Sequence, residues 1–180
     1  MSNDIKRVFY SEETLHSIVA DMGRKISEDY KDKNLLLVSI LKGSVVFMAD
    51  LMREITVPCK IDFMCVSSYE DGTKSGGVVK IVKDLDIKLE GYDVLIVEDI
   101  LDSGRTLNYI RSILLGRNPR SIRIAALLDK PERREPGIDL YADYSGAQVP
   151  DAFVVGYGLD YAQKYRNLPF IGVLKEDIYK

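Results

Sequence analysis

The sequence of 180 residues holds a single histidine, His16, and two cysteines, Cys59 and Cys65. One histidine cannot furnish a histidine relay or a histidine metal cluster, and its place near the apolar stripe of the first helical pattern gives it a structural role. The cysteines share one apolar segment at a spacing that matches no zinc pattern. A single extended strand cannot bring them together, so both are expected as buried free thiols. Surplus positive charge is missing too. The formal net charge is -3 with acids and bases interspersed, which argues against an electrostatic grip on nucleic acid. No apolar run approaches the length that spans a bilayer, and Met1 to Arg7 carry no signal-like apolar stretch. The expectation is a soluble, cytoplasmic chain with no nucleic acid and no membrane among its partners. Repeats and low-complexity segments are also absent.

What is present is the composition of a folded protein, 46% hydrophobic and 29% charged. At this length one domain is expected, with room for a small cap. Leu15, Ile18, Val19, Met22 and Ile26 recur at helical spacing behind Ser11, a candidate N-cap. Leu35 to Ile40 reads as a strand, Lys42-Gly43-Ser44 as a turn, and Val45, Met48, Ala49 and Met52 as a helix. Cys59 to Ser67 is a further strand, followed by the polar, glycine-rich Tyr69 to Gly77, across which Val78 to Val82 can pair back as a hairpin. Val94 to Val97 is apolar, Glu98 to Arg105 reads as a polar turn, and Leu107, Ile110, Ile113 and Leu114 resume helical spacing up to Asn118-Pro119. Ile122 to Leu128, Phe153 to Val155 and Phe170 to Leu174 complete the strands. Strands alternating with helices imply an α/β fold, a mostly parallel central sheet with helices on both faces.

The chemistry concentrates in Val94-Leu95-Ile96-Val97-Glu98-Asp99-Ile100-Leu101-Asp102-Ser103-Gly104-Arg105-Thr106-Leu107. In open α/β sheets ligands bind beyond the carboxyl ends of the strands, and here a buried strand opens into a loop and then a helix. The first helical turn leaves its N–H groups unpaired and its dipole favours an anion. Gly104 lets a phosphate approach, and the hydroxyls of Ser103 and Thr106 add donors. Glu98, Asp99 and Asp102 would repel that phosphate unless the same ligand also brought hydroxyls, a metal ion or a protonated base. A ribose 5-phosphate meets the demand. The bland alternative is an ordinary helix cap, since Asp, Ser and Thr favour N-caps. Three acids, a glycine and two hydroxyls packed between strand and helix weigh against it.

On these residues the segment resembles the phosphoribosyl pyrophosphate signature of the type I phosphoribosyltransferases, most closely the branch that acts on 6-oxopurines such as hypoxanthine and guanine. The resemblance covers about Leu35 to Arg166 and implies the fold of that family, with a small hood from the terminal segments. It implies that Glu98 and Asp99 hold the ribose hydroxyls, that Asp102 to Thr106, Arg105 included, cradle the 5-phosphate, and that Asp102 is the general base beside N7 of the purine. Leu41-Lys42-Gly43 matches a pyrophosphate-binding loop, often with a non-proline cis peptide, and Arg166 matches a pyrophosphate-binding arginine. The resemblance also implies that Ser68-Tyr69 heads a mobile flap near 68–77, where the residues alone equally fit a solvated hairpin tip. In the same way Lys130 is matched to the purine C6 oxygen, Phe153 to stacking on the base, the Val154 backbone to its edge, and Asp160, with Glu98 and Asp99, to Mg2+. The remaining charges from Lys130 to Glu135 read as a solvated loop. The implied activity is purine salvage from phosphoribosyl pyrophosphate by a homodimer or homotetramer. Alternatives are a phosphoribosyltransferase for xanthine, adenine or a pyrimidine, a nucleotide-sensing regulator that binds RNA or DNA, and a phosphohydrolase.

Overall fold

The computed structural model describes residues 2–69 and 78–179. Strand β1 (Ile5–Tyr10) leads to helix α1 (Glu12–Asp29), whose N-cap Ser11 accepts from the Thr14 amide at 3.2 Å. Leu15, Val19, Met22 and Ile26 are buried on one face of α1, as their helical spacing predicts. Then follow β2 (Leu35–Leu41), α2 (Val45–Glu54), β3 (Cys59–Tyr69), β4 (Val78–Lys83), β5 (Asp93–Leu101), α3 (Arg105–Leu115) and β6 (Ser121–Asp129). The chain ends with β7 (Tyr144–Gln148), β8 (Val154–Val155), β9 (Ile171–Leu174) and the single-turn α4 (Glu176–Tyr179). No helix among the described residues is long and apolar enough to cross a membrane.

Six strands form one sheet in the order β4-β3-β2-β5-β6-β7, and β1, β9 and β8 form a second sheet of three strands. In the large sheet only β4 runs antiparallel, paired to β3 as the hairpin that the sequence foresees. The apolar run of β2 is buried along its length because both faces are covered. Leu35 and Leu37 join α1 and α2 in one core cluster, whereas Leu36, Val38 and Ile40 join Leu107, Ile110 and Leu114 of α3 in the other. Each of these side chains contributes roughly 1.5–3 kcal/mol by leaving water.

Three expectations need correction. The strand read as Val94 to Val97 continues through Leu101, so Glu98 and Asp99 lie on β5 and not in a turn. Its partner accounts for this: β6 keeps the parallel ladder in register from Asp93↔Ser121 to Leu101↔Asp129, which overrides the weak strand preference of the acids. Cys59 and Cys65 are free but only half-buried, because α1 and α2 lie over β2, β5 and β7 and leave β3 less covered. Two strands, β1 and β7, were not foreseen at all. His16 stands exposed on α1.

Candidate active site

Parallel pairing brings the carboxyl ends of β2, β5 and β6 to one edge of the sheet, and the chemistry-bearing residues follow from that edge. Beyond β5 the chain turns through Asp102-Ser103 to Gly104, the N-cap of α3, which takes the left-handed conformation with φ of 80°. A side chain there would meet both strain and the Arg134 Cδ at 3.2 Å, so glycine suits the position. A small cleft of about 170 Å³ opens against this turn, lined by Glu98, Ile100, Asp102, Ser103, Gly104 and Thr106. The amides of the first turn of α3 lack intrahelical acceptors and suit an anion at that point. Arg105 directs its guanidinium away, to both oxygens of Glu135 at 2.7 and 2.8 Å, and is not among the lining residues.

A second cleft, of about 400 Å³, adjoins the first and shares Ile100 and Asp102 with it. Lys130, Phe153, Val154 and Leu159 line it too. Lys130 is only 8% exposed and donates to the Ala152 carbonyl at 2.8 Å, which occupies one of its three donors. Asp102 accepts from Arg133 Nε at 2.9 Å, and Arg133 also reaches Asp151 at 3.1 Å across the rim.

The third corner lies where β2 ends. The Leu41-Lys42 peptide is cis, and Lys42 Nζ donates to Gln163 Oε1 at 3.3 Å. Gly43 lies against Asp99: a Cβ at 43 would fall 1.8 Å from Asp99 Oδ2. Arg166 pairs with Asp160 at 2.8 Å and donates to the Gly158 carbonyl at 2.7 Å, while its Nε is buried without a hydrogen-bond partner. Loss of water holds the Asp99 carboxyl at about 6 despite the backbone N–H of Ile100 and the nearby Arg166, which pull it down. Burial, and secondarily the Asp99 charge, push Glu98 well above the ordinary carboxylate range. No side-chain cation hydrogen-bonds either acid among the described residues.

Apart from Arg105, whose side chain points away, the sequence-predicted positions gather in three adjoining places: Glu98, Asp102, Ser103, Gly104 and Thr106 at the small cleft, Lys130, Phe153 and Val154 at the larger one, and Lys42, Gly43, Asp99, Asp160 and Arg166 beside them. Ser68 and Tyr69 are the last described backbone positions of β3, and residues 70–77 of the expected flap lie outside the described residues. The run from Arg133 to Glu135 is not a free solvated loop. A 3-10 turn, Pro131–Arg133, folds it back beneath the β5–α3 turn. There Arg134 donates to the Leu101 and Asp102 carbonyls and pairs with Asp129 at 2.5 Å, both side chains being 15% exposed, and the Glu135 amide donates to the Ser103 carbonyl at 3.0 Å. No local pattern in the sequence marks these charges off from ordinary surface ones.

A strand-end pair of acids, the glycine turn that follows it and an adjoining cleft lined by Asp102, Lys130 and Phe153 thus share one edge of the sheet. The family model of the phosphoribosyl transferase domain matches residues 10–162, and the chain belongs to that family. Its relatives carry a narrower name. The hypoxanthine-guanine phosphoribosyltransferase of Streptococcus agalactiae serotype V is 52% identical over 179 residues, 99% of this chain and 98% of that protein. That of Staphylococcus epidermidis is 54% identical over 179 residues, 99% of each. Among solved structures, a hypoxanthine phosphoribosyltransferase from Staphylococcus aureus matches with a TM-score of 0.95 at 50% identity, covering 100% of this chain and 97% of that one. A hypoxanthine-guanine phosphoribosyltransferase from Bacillus anthracis gives 0.87 at 43% identity over 95% and 98%.

Proposed function

We propose that this chain transfers the 5-phosphoribosyl group of phosphoribosyl pyrophosphate to N9 of hypoxanthine or guanine, giving the nucleotide and pyrophosphate. One observation carries the reading: Asp102 is common to the anion cleft and the larger cleft, so a single carboxylate touches both the sugar phosphate and a heterocycle beside it. In this reading the turn 102–106 holds the 5-phosphate, and Glu98 and Asp99 accept the ribose hydroxyls. Lys42, Gly43 and Arg166 receive the pyrophosphate; the buried, unpartnered Nε of Arg166 supports an anionic ligand there. Phe153 stacks on the base, the Val154 backbone reads its edge, and Lys130 offers its remaining donors to the C6 oxygen. An amino group at C6 would face that ammonium donor to donor, which selects oxopurines.

The C1–O bond to pyrophosphate breaks as N9 bonds to C1 with inversion. The N7 proton passes to Asp102, which is competent because the developing sugar cation acidifies the purine. Negative charge on the leaving group falls to Lys42 and Arg166. Glu98 and Asp99 are desolvated acids that no side-chain cation hydrogen-bonds, whereas Asp160 is already paired with Arg166, and the three do not converge as a metal cluster among the described residues. Mg2+ would be held by these acids only with substrate oxygens completing its shell. When bound it neutralises charge on the pyrophosphate. The small sheet of β1, β9 and β8 acts as a hood, and the working unit is a homodimer or homotetramer. Pyrophosphate release measured with hypoxanthine, guanine, xanthine and adenine in turn, with and without Mg2+, tests the assignment. Turnover of the oxopurines alone, dependent on the metal, is expected; release with adenine but neither oxopurine would refute it.

A further inference from the structure

Phe153 carries a second aromatic ring on one face. Tyr179, in α4, lies nearly parallel to it, with centroids 4.9 Å apart and planes at 24°. Tyr161 closes the group edge-on, 5.6 Å from Phe153 at 90° and 6.5 Å from Tyr179 at 67°. These separations and angles are the favourable ones for aromatic rings. Phe153 and Tyr179 also line two neighbouring clefts at once. One is the cleft of Asp102 and Lys130, and the other is bounded by Lys6, Arg7, Val173 and Leu174. The stacked pair is therefore the partition between them, and Tyr179 reaches the cleft itself.

A ring in the place of Phe153 needs such a neighbour. It is 37% exposed, and it follows directly on the Pro150–Ala152 turn, with only the two-residue β8 after it. Left to itself, the ring would lose rotational freedom whenever a base stacked on it, and that loss weakens binding. Stacking on Tyr179 orients it beforehand. Tyr179 is in turn held by the hood: the Lys175 amide donates to the Asp4 carbonyl at 2.9 Å, and Ile178 and Tyr179 pack on the cluster of Val155, Tyr165, Leu168 and Leu174.

We propose that Tyr179 is a positioning residue for the heterocyclic base, fixing the plane of Phe153 so that the C-terminal turn sets base affinity. The proposal rests on the purine reading of the larger cleft. Its test is steady-state kinetics of Tyr179→Ala and Tyr179→Phe, with the base and phosphoribosyl pyrophosphate varied separately and Tm recorded for each variant. Tyr179→Ala is expected to raise KM for hypoxanthine by roughly threefold to tenfold, the worth of one aromatic pair, with KM for phosphoribosyl pyrophosphate and kcat within about twofold. Tyr179→Phe keeps the ring and is expected to restore the wild-type KM. Calorimetric titration with the product nucleotide supplies a second readout, expected to weaken in the alanine variant only. An unchanged base KM in Tyr179→Ala overturns the proposal, and so does an equal rise in both KM values or a failure of Tyr179→Phe to rescue. A wild-type chain that uses no purine overturns the purine reading as well, so the two failures are told apart by the wild-type control.

Discussion

The backbones of Gly43 and Gly158 meet so closely that a Cβ on Gly158 would lie 2.0 Å from the Gly43 carbonyl oxygen. Gly158 adopts φ of 99°, and on its other side Gly43 leaves no room before Asp99. The loop after β2, the end of β5 and the segment after β8 are thus packed through two missing side chains, and Arg166 ties the same segment by donating to the Gly158 carbonyl.

Gly43→Ala must push Asp99 or the Lys42 loop aside. The expected result is a folded protein, less stable by about 1–3 kcal/mol, whose kcat/KM for phosphoribosyl pyrophosphate falls at least tenfold. Denaturant melts and kinetics on the same preparation check it. Retained activity would mean that the loop does not need this contact to receive its ligand.

Asp99→Asn removes a desolvated charge. With its pKa raised from 3.8 to about 6, the folded state binds more protons than the unfolded one between those values, so this group makes stability fall as pH rises from about 4 to 6. The full penalty persists above 6 and amounts to about 3 kcal/mol at most, since the side chain still touches solvent. The asparagine variant without ligand is therefore expected to melt higher than wild type at pH 7.5, with the gain vanishing near pH 4, while binding of phosphoribosyl pyrophosphate weakens. Melting curves across that range supply the check; a gain that does not depend on pH would contradict the burial argument.

Asp102→Asn keeps the shape of the side chain and cannot take a proton. Turnover is expected to fall roughly 10²–10⁴-fold, with much smaller losses in phosphoribosyl pyrophosphate affinity. Parallel measurements of kcat and of equilibrium binding decide it, equal losses in both counting against a proton-transfer role.

Arg134→Met leaves the Asp129 carboxylate and the Asp102 carbonyl without their donor in a place that is 15% exposed, while the Leu101 carbonyl keeps the Lys130 amide at 3.0 Å. A stability loss of about 2–4 kcal/mol is expected, together with weaker 5-phosphate binding because the turn loses its brace. Arg134→Lys should recover only part of either, since an ammonium cannot reproduce the planar fork. Urea melts and inhibition by ribose 5-phosphate measure the two effects; an unchanged protein would show the brace to be dispensable.

Sequence by itself determined the α/β alternation, the apolar faces of α1 and α3, the buried run of β2 and the strand-to-helix turn at Gly104. These are legible because burial periodicity and the strand-to-helix turn are local: Leu107, Ile110 and Leu114 announce their face within one helix, and Gly104 its backbone within one turn. Tertiary structure alone decided that β5 runs on through Glu98 and Asp99, since its ladder with β6 comes from residues far along the chain. It also decided that Arg134 serves the turn from below, that Gly43 and Gly158 must both lack side chains, and that Tyr179 reaches Phe153. Each of these is a contact between segments distant in sequence, where an arginine, a glycine or a terminal tyrosine looks like any other until the sheet brings its neighbour beside it.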